Sequence, residues 1–347
     1  MSVLYQEGII LIVYRPEERR RIQVLTVIFM LGLVFPSAGW AQMEILRSLG
    51  PDLGKARVSL QYQITPYSNE EVEGQGKKFQ STSHNASLST PLSQDPNHEW
   101  TMIGILRLKQ VETAALLPDT GESFPETLWD IRLGSQYRHR FSNGWIGGGG
   151  IQIGSASDQP FKSEAEVTAQ ATLFARIPAA EKDSWLIFLN YSRYREFLPH
   201  VPIPGFAYSY EPSSQVRLIA GIPFSFVEWK PTKNLSLELF YFLVRTVQAK
   251  VTYRLRPAWQ IYGSFEWRSE YSFRYDRKEK NDRLSYYEKK LAAGMGWNFS
   301  GGNFIDIGGG YAFDRFYFEG EGYDDRDQNR FNLGNGFFAQ LRVGFFF

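Results

Sequence analysis

The chain has 347 residues, and its 38 Lys and Arg almost balance its 37 Asp and Glu. This balance argues against a nucleic-acid-binding protein, whose binding face is usually strongly basic. The absence of cysteine excludes disulfide bonds, thiolate metal ligands and a cysteine nucleophile. Aromatic residues make up 16% of the chain although its mean hydropathy is negative, which is typical of apolar residues that alternate with polar ones.

The N-terminal region has the three parts of a secretory signal peptide. Residues 19–21 are arginines, residues 22–35 are mostly apolar, and Gly39 and Ala41 provide small residues for cleavage. The apolar run is shorter than the roughly 20 residues that a spanning helix needs, so a membrane-anchoring helix is the weaker alternative. We therefore predict that residues 1–41 are an N-terminal extension and a cleaved signal peptide, and that residues 42–56 are a short periplasmic segment.

From residue 57 onward, apolar and polar residues alternate with a period of two. In residues 247–255, for example, the odd positions are apolar and the even positions are polar. Such alternation predicts strands with one face in an apolar medium and the other in a polar one. Sixteen segments follow the pattern: 57–66, 79–92, 100–112, 127–141, 145–155, 165–177, 184–196, 206–211, 215–222, 224–230, 235–243, 245–256, 258–275, 283–299, 303–318 and 333–347.

The connections between these segments predict a barrel. Short turns rich in Gly, Pro, Ser and Asn alternate with longer polar loops, and aromatic residues recur at the segment ends. We therefore predict an all-β fold, in which residues 57–347 form a transmembrane antiparallel up-and-down β-barrel with an even number of strands. The best count is 16, and merging the short segments between 206 and 256 would give 12 or 14. A secreted soluble β-sandwich is the alternative fold.

The last strand resembles the targeting signal of bacterial outer-membrane β-barrel proteins. In that family the chain ends on Phe, and apolar residues occupy every second position before it. The resemblance implies recognition by the barrel-assembly machinery and insertion into outer-membrane lipid. The positions that match the signal are Phe337, Leu341, Val343, Phe345 and Phe347.

A second resemblance covers roughly the last 150 residues. Residues 202–242, together with the sequence VTYRL at 251–255, are similar to an uncharacterised family of outer-membrane barrels of unknown function. This resemblance implies a fold and a location but no activity.

The polar face of the predicted strands carries more basic than acidic residues. A channel lined in this way would favour anions, because the low-dielectric wall focuses the field of its charges. In the alternative, the charges pair across strands and fill the lumen. The candidate lumen-lining residues are Arg107, Lys109, Arg132, Arg138, Arg140, Arg176, Lys250, Arg254, Glu266, Arg268 and Arg342.

These observations predict an exported outer-membrane protein that gives small polar solutes, including anions, porin-like passage. A non-conducting structural or surface-binding barrel is the alternative. An outer-membrane lipid enzyme ranks third, because Ser83 and His84 are neighbours on one strand and must point to opposite faces. The sequence predicts no enzymatic activity, no cofactor, no metal site and no nucleic-acid partner.

Overall fold

The computed structural model describes residues 50, 52–180, 182–193, 195, 198–242 and 246–347, and the backbone of residues 2–6 and 9–13. The chain divides into two compact units, residues 1–36 and 37–347. In the first unit β1 (Ser2–Gln6) pairs with β2 (Ile9–Val13) in an antiparallel hairpin. The predicted apolar signal segment and its cleavage site after Ala41 lie outside the described residues.

The second unit is built almost entirely of strands, and two single 3-10 turns occur at Ser300–Gly302 and Tyr323–Asp325. No helix among its described residues is long and apolar enough to cross a membrane. The strands are β3 (Ser59–Pro66), β4 (Glu70–Val72), β5 (Lys77–Gln94), β6 (His98–Thr113), β7 (Thr127–Arg140), β8 (Ile146–Ser157), β9 (Val167–Pro178), β10 (Ser184–Ser192), β11 (Ile203–Ser213), β12 (Val216–Ile222), β13 (Phe224–Trp229), β14 (Leu235–Phe242), β15 (Thr246–Arg256), β16 (Trp259–Ser272), β17 (Arg283–Asn298), β18 (Phe304–Gly320), β19 (Phe331–Leu333) and β20 (Gly336–Phe346).

These strands form a closed antiparallel barrel, which confirms the predicted fold class. Sixteen strands make the wall, and the three-residue strands β4 and β19 extend it locally. The last strand closes on the first, with Leu341 opposite Ile64 and Val343 opposite Tyr62. The best count of 16 is therefore confirmed, and the short segments between 206 and 256 are separate strands.

The alternation of the sequence separates an outer face from an inner face. Large apolar side chains on the outer face remain exposed, as in Leu133 (60%), Ile153 (58%) and Leu173 (62%). The residues next to Leu133 and Ile153 in the sequence face inward instead, and these are Arg132, Gly134, Gln152 and Gly154. An apolar outside around a polar inside is the pattern of a barrel whose surrounding medium is lipid.

The two ends of the barrel differ. Short connections join β5 to β6, β7 to β8, β9 to β10 and the later pairs up to β17 and β18, and both barrel termini lie at this end. We call it the short-turn end and the opposite end the loop end. Long segments at the loop end include residues 114–126, 158–166 and 273–282.

The wall of the barrel is uneven in height. Strands β5 and β18 have 18 and 17 residues, whereas β12, β13 and β14 have 7, 6 and 8. At about 3.3 Å per residue, the longest strand is roughly three times as long as the shortest. We call β10–β14 the short wall, and the longer strands β5–β8 and β16–β18 the tall wall.

At the loop end the tall wall closes into a second, smaller ring. Leu333 pairs with Val72 and thereby joins β19 to β4. On the other side, a parallel bridge joins Ser157 of β8 to Phe273 beyond β16. The Phe273 amide donates to the Ala156 carbonyl (2.8 Å), and the Asp158 amide donates to the Phe273 carbonyl (3.3 Å). The strands β4–β8 and β16–β19 thus form what we call the loop-end ring.

Candidate functional site: the barrel interior

The loop-end ring encloses a hydrophobic core. Phe79 is 1% exposed, and its ring centroid lies 5.4 Å from that of Phe124 and 5.7 Å from that of Tyr317. Residues 114–126 fold into the ring and supply part of this core. Its buried members are Val72, Phe79, Val111, Ala115, Leu117, Phe124, Leu128, Leu284, Tyr286, Tyr317, Phe331 and Leu333.

Beneath this core lies a layer of buried charges. Glu288 is 0% exposed and accepts hydrogen bonds from the hydroxyls of Tyr67 (2.9 Å) and Tyr286 (2.9 Å) and from Arg268 Nε (2.8 Å). A buried carboxylate is tolerated only when it is paired and hydrogen-bonded in this way. The other ion pairs of the layer are Lys109–Glu270, Arg268–Glu270, Lys290–Glu266 and Lys290–Glu288.

Loop contacts reinforce the bridge that closes the ring. Arg277 donates to Glu166 Oε1 (3.0 Å) and to the Ala165 carbonyl, and Glu166 also accepts from the amide and hydroxyl of Ser163. Burial opposes ionisation of Glu166, but the hydrogen bonds from Ser163 and Arg277 outweigh it and lower the pKa of this carboxyl. The ionised carboxylate therefore holds the segment after β8 against the segment after β16.

Towards the short-turn end the inner face becomes polar and partly solvated. On β3 and β5 the inner side chains Gln61, Gln63, Asn85 and Ser87 are half-buried, without an apolar core over them. Arg107 lies in the same band and pairs with Asp130 (3.0 Å), which also pairs with Arg132 (2.6 Å). Amide and hydroxyl groups that remain partly exposed are suited to a water-filled interior.

The inner face of the short wall is apolar instead. Phe188 lies flat over Gly205, where an added Cβ would stand 2.2 Å from its ring, and it stacks on Phe224 with centroids 5.5 Å apart. The rings follow the wall because glycine leaves room beneath them. The buried members of this cluster are Phe174, Leu186, Phe188, Ala207, Ile219, Phe224, Phe240 and Phe242.

The short-turn end contains the described residues that precede β3. Arg138 donates to the carbonyls of Gly50 (3.1 Å) and Asp52 (2.9 Å) and pairs with Glu99 (2.7 Å). Leu53 is 5% exposed. Arg138 therefore holds the described part of the segment before β3 against the inner wall.

The structure places the predicted lumen residues on one face but in different settings. Lys109, Glu266 and Arg268 belong to the charged layer under the ring, and Arg107 and Arg132 share Asp130. Near the short-turn end, Arg140 on β7 and Arg176 on β9 are the register partners of Ile146 on β8. Arg254, near the same end, is exposed. Arg342 lies 3.6 Å from Asp306, whereas Lys250 makes no ion pair with a described residue.

The predicted assembly residues line the outer face of β20. Phe337, Phe345 and Phe347 are 70%, 36% and 75% exposed, and the Phe347 amide donates to the Val58 carbonyl (2.9 Å). Phe338 has the opposite orientation and is buried against Tyr67, with ring centroids 5.7 Å apart. The last strand thus presents apolar side chains outward while it closes the barrel.

Ser83 and His84 point to opposite sides of the wall, as their adjacency requires. Ser83 is buried and faces inward, opposite Lys109. His84 faces outward and contacts the Tyr62 hydroxyl (2.8 Å) and Gln110 Oε1 (3.2 Å). They do not form a nucleophile and base pair. Among the described residues, no group of three or more His, Asp or Glu side chains could hold a metal ion.

The sequence did not predict the loop-end ring. Strands β4 and β19 have only three residues each, too few for a period of two to be recognised. The bridge joins residues 157 and 273, and neither segment differs in pattern from an ordinary strand end. The sequence contained one weak signal of this ring. Tyr286, Tyr317 and Phe331 are aromatic residues that take inward positions on strands otherwise rich in charged residues.

No protein-family profile matches the chain, and no curated protein is similar to it. Solved structures with similar architecture include an outer-membrane channel from Pseudomonas putida F1 (10% identity, 84% of this chain and 96% of the other, TM-score 0.35). Another is the translocator domain of the autotransporter NalP from Neisseria meningitidis (10% identity, 88% of this chain and 96% of the other, TM-score 0.33). A third is Salmonella typhi OmpF in complex with daunomycin (11% identity, 84% of this chain and 97% of the other, TM-score 0.30). These similarities are too distant to carry over a function. The chain is similar to bacterial outer-membrane barrels, and its own strand pairing establishes its closed sixteen-strand architecture.

Proposed function

We propose that the protein is an outer-membrane, porin-like barrel through which small polar solutes pass, anions more readily than cations. The observation that carries this proposal is the exposure of inward-facing charge outside the loop-end ring. Glu238 in the middle of β14 faces inward, opposite Lys250, and its side chain remains exposed. A charged side chain in this position requires water inside the barrel.

The proposed route runs beside the short wall. The loop-end ring is filled by its hydrophobic core and by the charged layer beneath, so solute has no space on that side. The short wall keeps its aromatic rings flat and leaves polar groups of β14 and β15 facing the interior. A solute would therefore meet a narrow passage with one apolar side and one polar side.

The proposed anion preference rests on a few cations. Most of the predicted basic residues are neutralised by nearby carboxylates, as with Lys109 and Glu270 or Arg138 and Glu99. Lys250 and Arg254 on β15 form no ion pair with a described residue, and Arg254 is exposed. Unpaired positive charge on a low-dielectric wall raises the local concentration of anions.

Planar-bilayer recording of the refolded protein tests this function. We expect discrete conductance steps, and a reversal potential in a potassium chloride gradient that shows chloride to be more permeant than potassium. Arg254→Gln should reduce this preference, whereas Lys289→Gln, a change on the outer face, should leave it unchanged. Conductance no greater than that of the lipid alone would overturn the proposal.

A non-conducting barrel is the second candidate, and one observation favours it. The apolar cluster of the short wall is as well buried as the core of the loop-end ring, with Phe224 and Ile219 at 1% and 0% exposure. If both clusters seal the loop end, the interior is a vestibule open only at the short-turn end. Absence of conductance, together with solvent accessibility of the interior from that end alone, would favour this candidate.

We further propose that residues 1–41 are removed on export and that the barrel-assembly machinery recognises β20. The alternation of exposed apolar residues that ends at Phe347 supports recognition of this strand. Mass spectrometry of the mature protein should find Gln42 at its N-terminus. Deletion of Phe347 should lower the amount of folded barrel in the outer membrane, but should leave the unit conductance of the barrels that do form unchanged.

A further inference from the structure

The inner wall between β15 and β20 carries a side chain that is fixed in an unusual way. Tyr262 of β16 lies across β17 and β18, where a Cβ added at Gly294 or Gly308 would stand 2.4 or 2.6 Å from its hydroxyl oxygen. Glycine at both positions is therefore required for this arrangement. The ring is 7% exposed and lies flat against the wall.

The Tyr262 hydroxyl organises the groups around it. It donates to Asp306 Oδ1 (2.7 Å) and accepts from Gln340 Nε2 (2.7 Å). Asp306 is 2% exposed, and its Oδ2 accepts no hydrogen bond from a described residue. One carboxylate is thus held rigidly at the wall with part of its hydrogen-bonding capacity unused.

Two cations flank this carboxylate without being fully engaged by it. Arg342 Nη2 lies 3.6 Å from Asp306 Oδ2, beyond hydrogen-bond distance, and the Arg342 side chain is 36% exposed. Its guanidinium stacks 4.9 Å from the Phe304 ring centroid, which orients it without using its N–H donors. Lys250 Nζ lies 4.6 Å from the Tyr262 ring centroid.

These cations differ from the other cations of the inner face. Lys109 and Arg268 are buried against carboxylates that neutralise them, whereas Arg342 lies 3.6 Å from Asp306 and Lys250 lies opposite Glu238 in register without an ion pair. Lys250 lies within electrostatic range of Arg342, Asp306 and Glu238. The two cations and these two carboxylates balance in formal charge, but neither cation lies within hydrogen-bond distance of either carboxylate among the described residues.

We propose that Lys250 and Arg342 form a binding site for small monoanionic carboxylates on the inner wall. This proposal rests on the proposed passage and names its substrate class. The planar guanidinium of Arg342 presents paired donors that match a carboxylate, and Lys250 supplies a second positive charge. A second negative charge on the solute would be repelled by Asp306 and Glu238, so a monoanion suits the site better than a dianion. The Tyr262 ring, which lies over Gly294 and Gly308, keeps the two cations apart.

Saturation-transfer NMR of benzoate with the detergent-solubilised, refolded protein tests the site without requiring conductance. Benzamide, which is neutral and of nearly the same shape, is the control ligand. We expect benzoate to bind and benzamide to bind at least about tenfold more weakly, since hydrogen bonds between two charged groups are stronger than those to a neutral amide. Equal binding of the two ligands would overturn the proposal.

Substitutions test which side chains bind benzoate. Lys250→Met and Arg342→Met should each weaken benzoate binding about tenfold or more, while Lys250→Arg and Arg342→Lys should retain most of it. Lys289→Met removes an equal charge from the outer face and should change nothing. Arg107→Met removes an inner cation that is already paired with Asp130. If this variant lost as much benzoate affinity as the Lys250 and Arg342 variants, binding would depend on the overall charge of the lumen, and the proposed site would be overturned.

The outcomes separate the site from the proposed function. Benzoate binding that depends on Lys250 and Arg342, in a barrel without conductance, would support the site and contradict the passage. Conductance combined with benzoate binding that is unaffected by both substitutions would support the passage and overturn the site. A shift in gel mobility between unheated and heated samples verifies that each variant is folded.

Discussion

The tall wall and the short wall have the same strand pattern but differ in how they use their inner faces. Inward positions near the loop end of the tall wall hold a packed aromatic core and a layer of buried ion pairs. On the short wall they hold phenylalanines that lie flat beside exposed charges such as Glu238. The comparison shows that facing inward does not by itself make a residue part of a channel. What matters is what covers it, which is the opposite side in the loop-end ring and neighbouring side chains of the same wall in the short-wall cluster.

The distance between walls is set locally by a few backbone contacts. The bridge between Ser157 and Phe273 brings β8 against the end of β16, so the inner faces of the tall wall meet one another. No comparable contact crosses the barrel in front of the short wall among the described residues. The same alternation therefore produces a filled ring on one side and leaves space on the other.

The largest expected effect is the loss of the ring core in Phe79→Ala. This side chain is 1% exposed among three other aromatic rings, and truncation of such a residue typically costs about 3–5 kcal/mol. We expect rapid proteolysis within residues 114–126 and a lower midpoint in denaturant. Leu239→Ala on the lipid-facing side of the short wall is the control and should change stability by less than about 1 kcal/mol. Equal effects at the two sites would contradict the contrast between the walls.

A second comparison removes one carboxylate charge from each wall. Glu288→Gln removes the buried carboxylate that Arg268 and Lys290 share and leaves each cation with one carboxylate, Glu270 or Glu266. Breaking a buried pair costs about 3–5 kcal/mol. Glu228→Gln on the short wall breaks a partly exposed pair with Lys230, worth about 0–1 kcal/mol. Denaturant titration of both variants in the same detergent measures the difference. A Glu288 variant as stable as the Glu228 variant would show that the charged layer is not sealed.

A smaller effect is expected from acid at the bridge. The pKa of Glu166 is lowered in the folded protein, so the stabilisation is fully present above its unfolded value of roughly 4.3 and is lost as the pH falls through the folded value. Hydrogen exchange of the Phe273 and Asp158 amides, corrected for intrinsic rates, should be constant from pH 8 to about 5 and should accelerate below about 4. In the Glu166→Gln variant, the same two amides should exchange rapidly at every pH. Protection that persists at pH 3 in the unchanged protein would contradict this role for Glu166.

The sequence predicted what depends on neighbours along the chain. Alternation in residues 247–255 established strand β15 and its two faces, and the apolar positions before Phe347 predicted the last strand. It could not predict the pair between Lys109 and Glu270, because 161 residues separate them and only the local closure of the ring brings them together. For the same reason, the basic positions of the inner face looked equivalent in the sequence, although Lys109 is buried in the charged layer and Lys250 is half-buried without an ion pair to a described residue.

The most direct test of this account compares two serines on the same face of the same strand. Ser83 and Ser87 of β5 both point inward, but Ser83 is 4% exposed under the loop-end ring and Ser87 is half-buried in the polar band below. The chain has no cysteine, so Ser83→Cys and Ser87→Cys can each be labelled with a charged thiosulfonate without background. We predict that Ser87→Cys reacts at least about 100-fold faster, since reaction at residue 83 requires an opening that costs about 2.7 kcal/mol or more. Equal reaction rates would show that the ring is not filled and would contradict the division of the barrel into a sealed side and an open side.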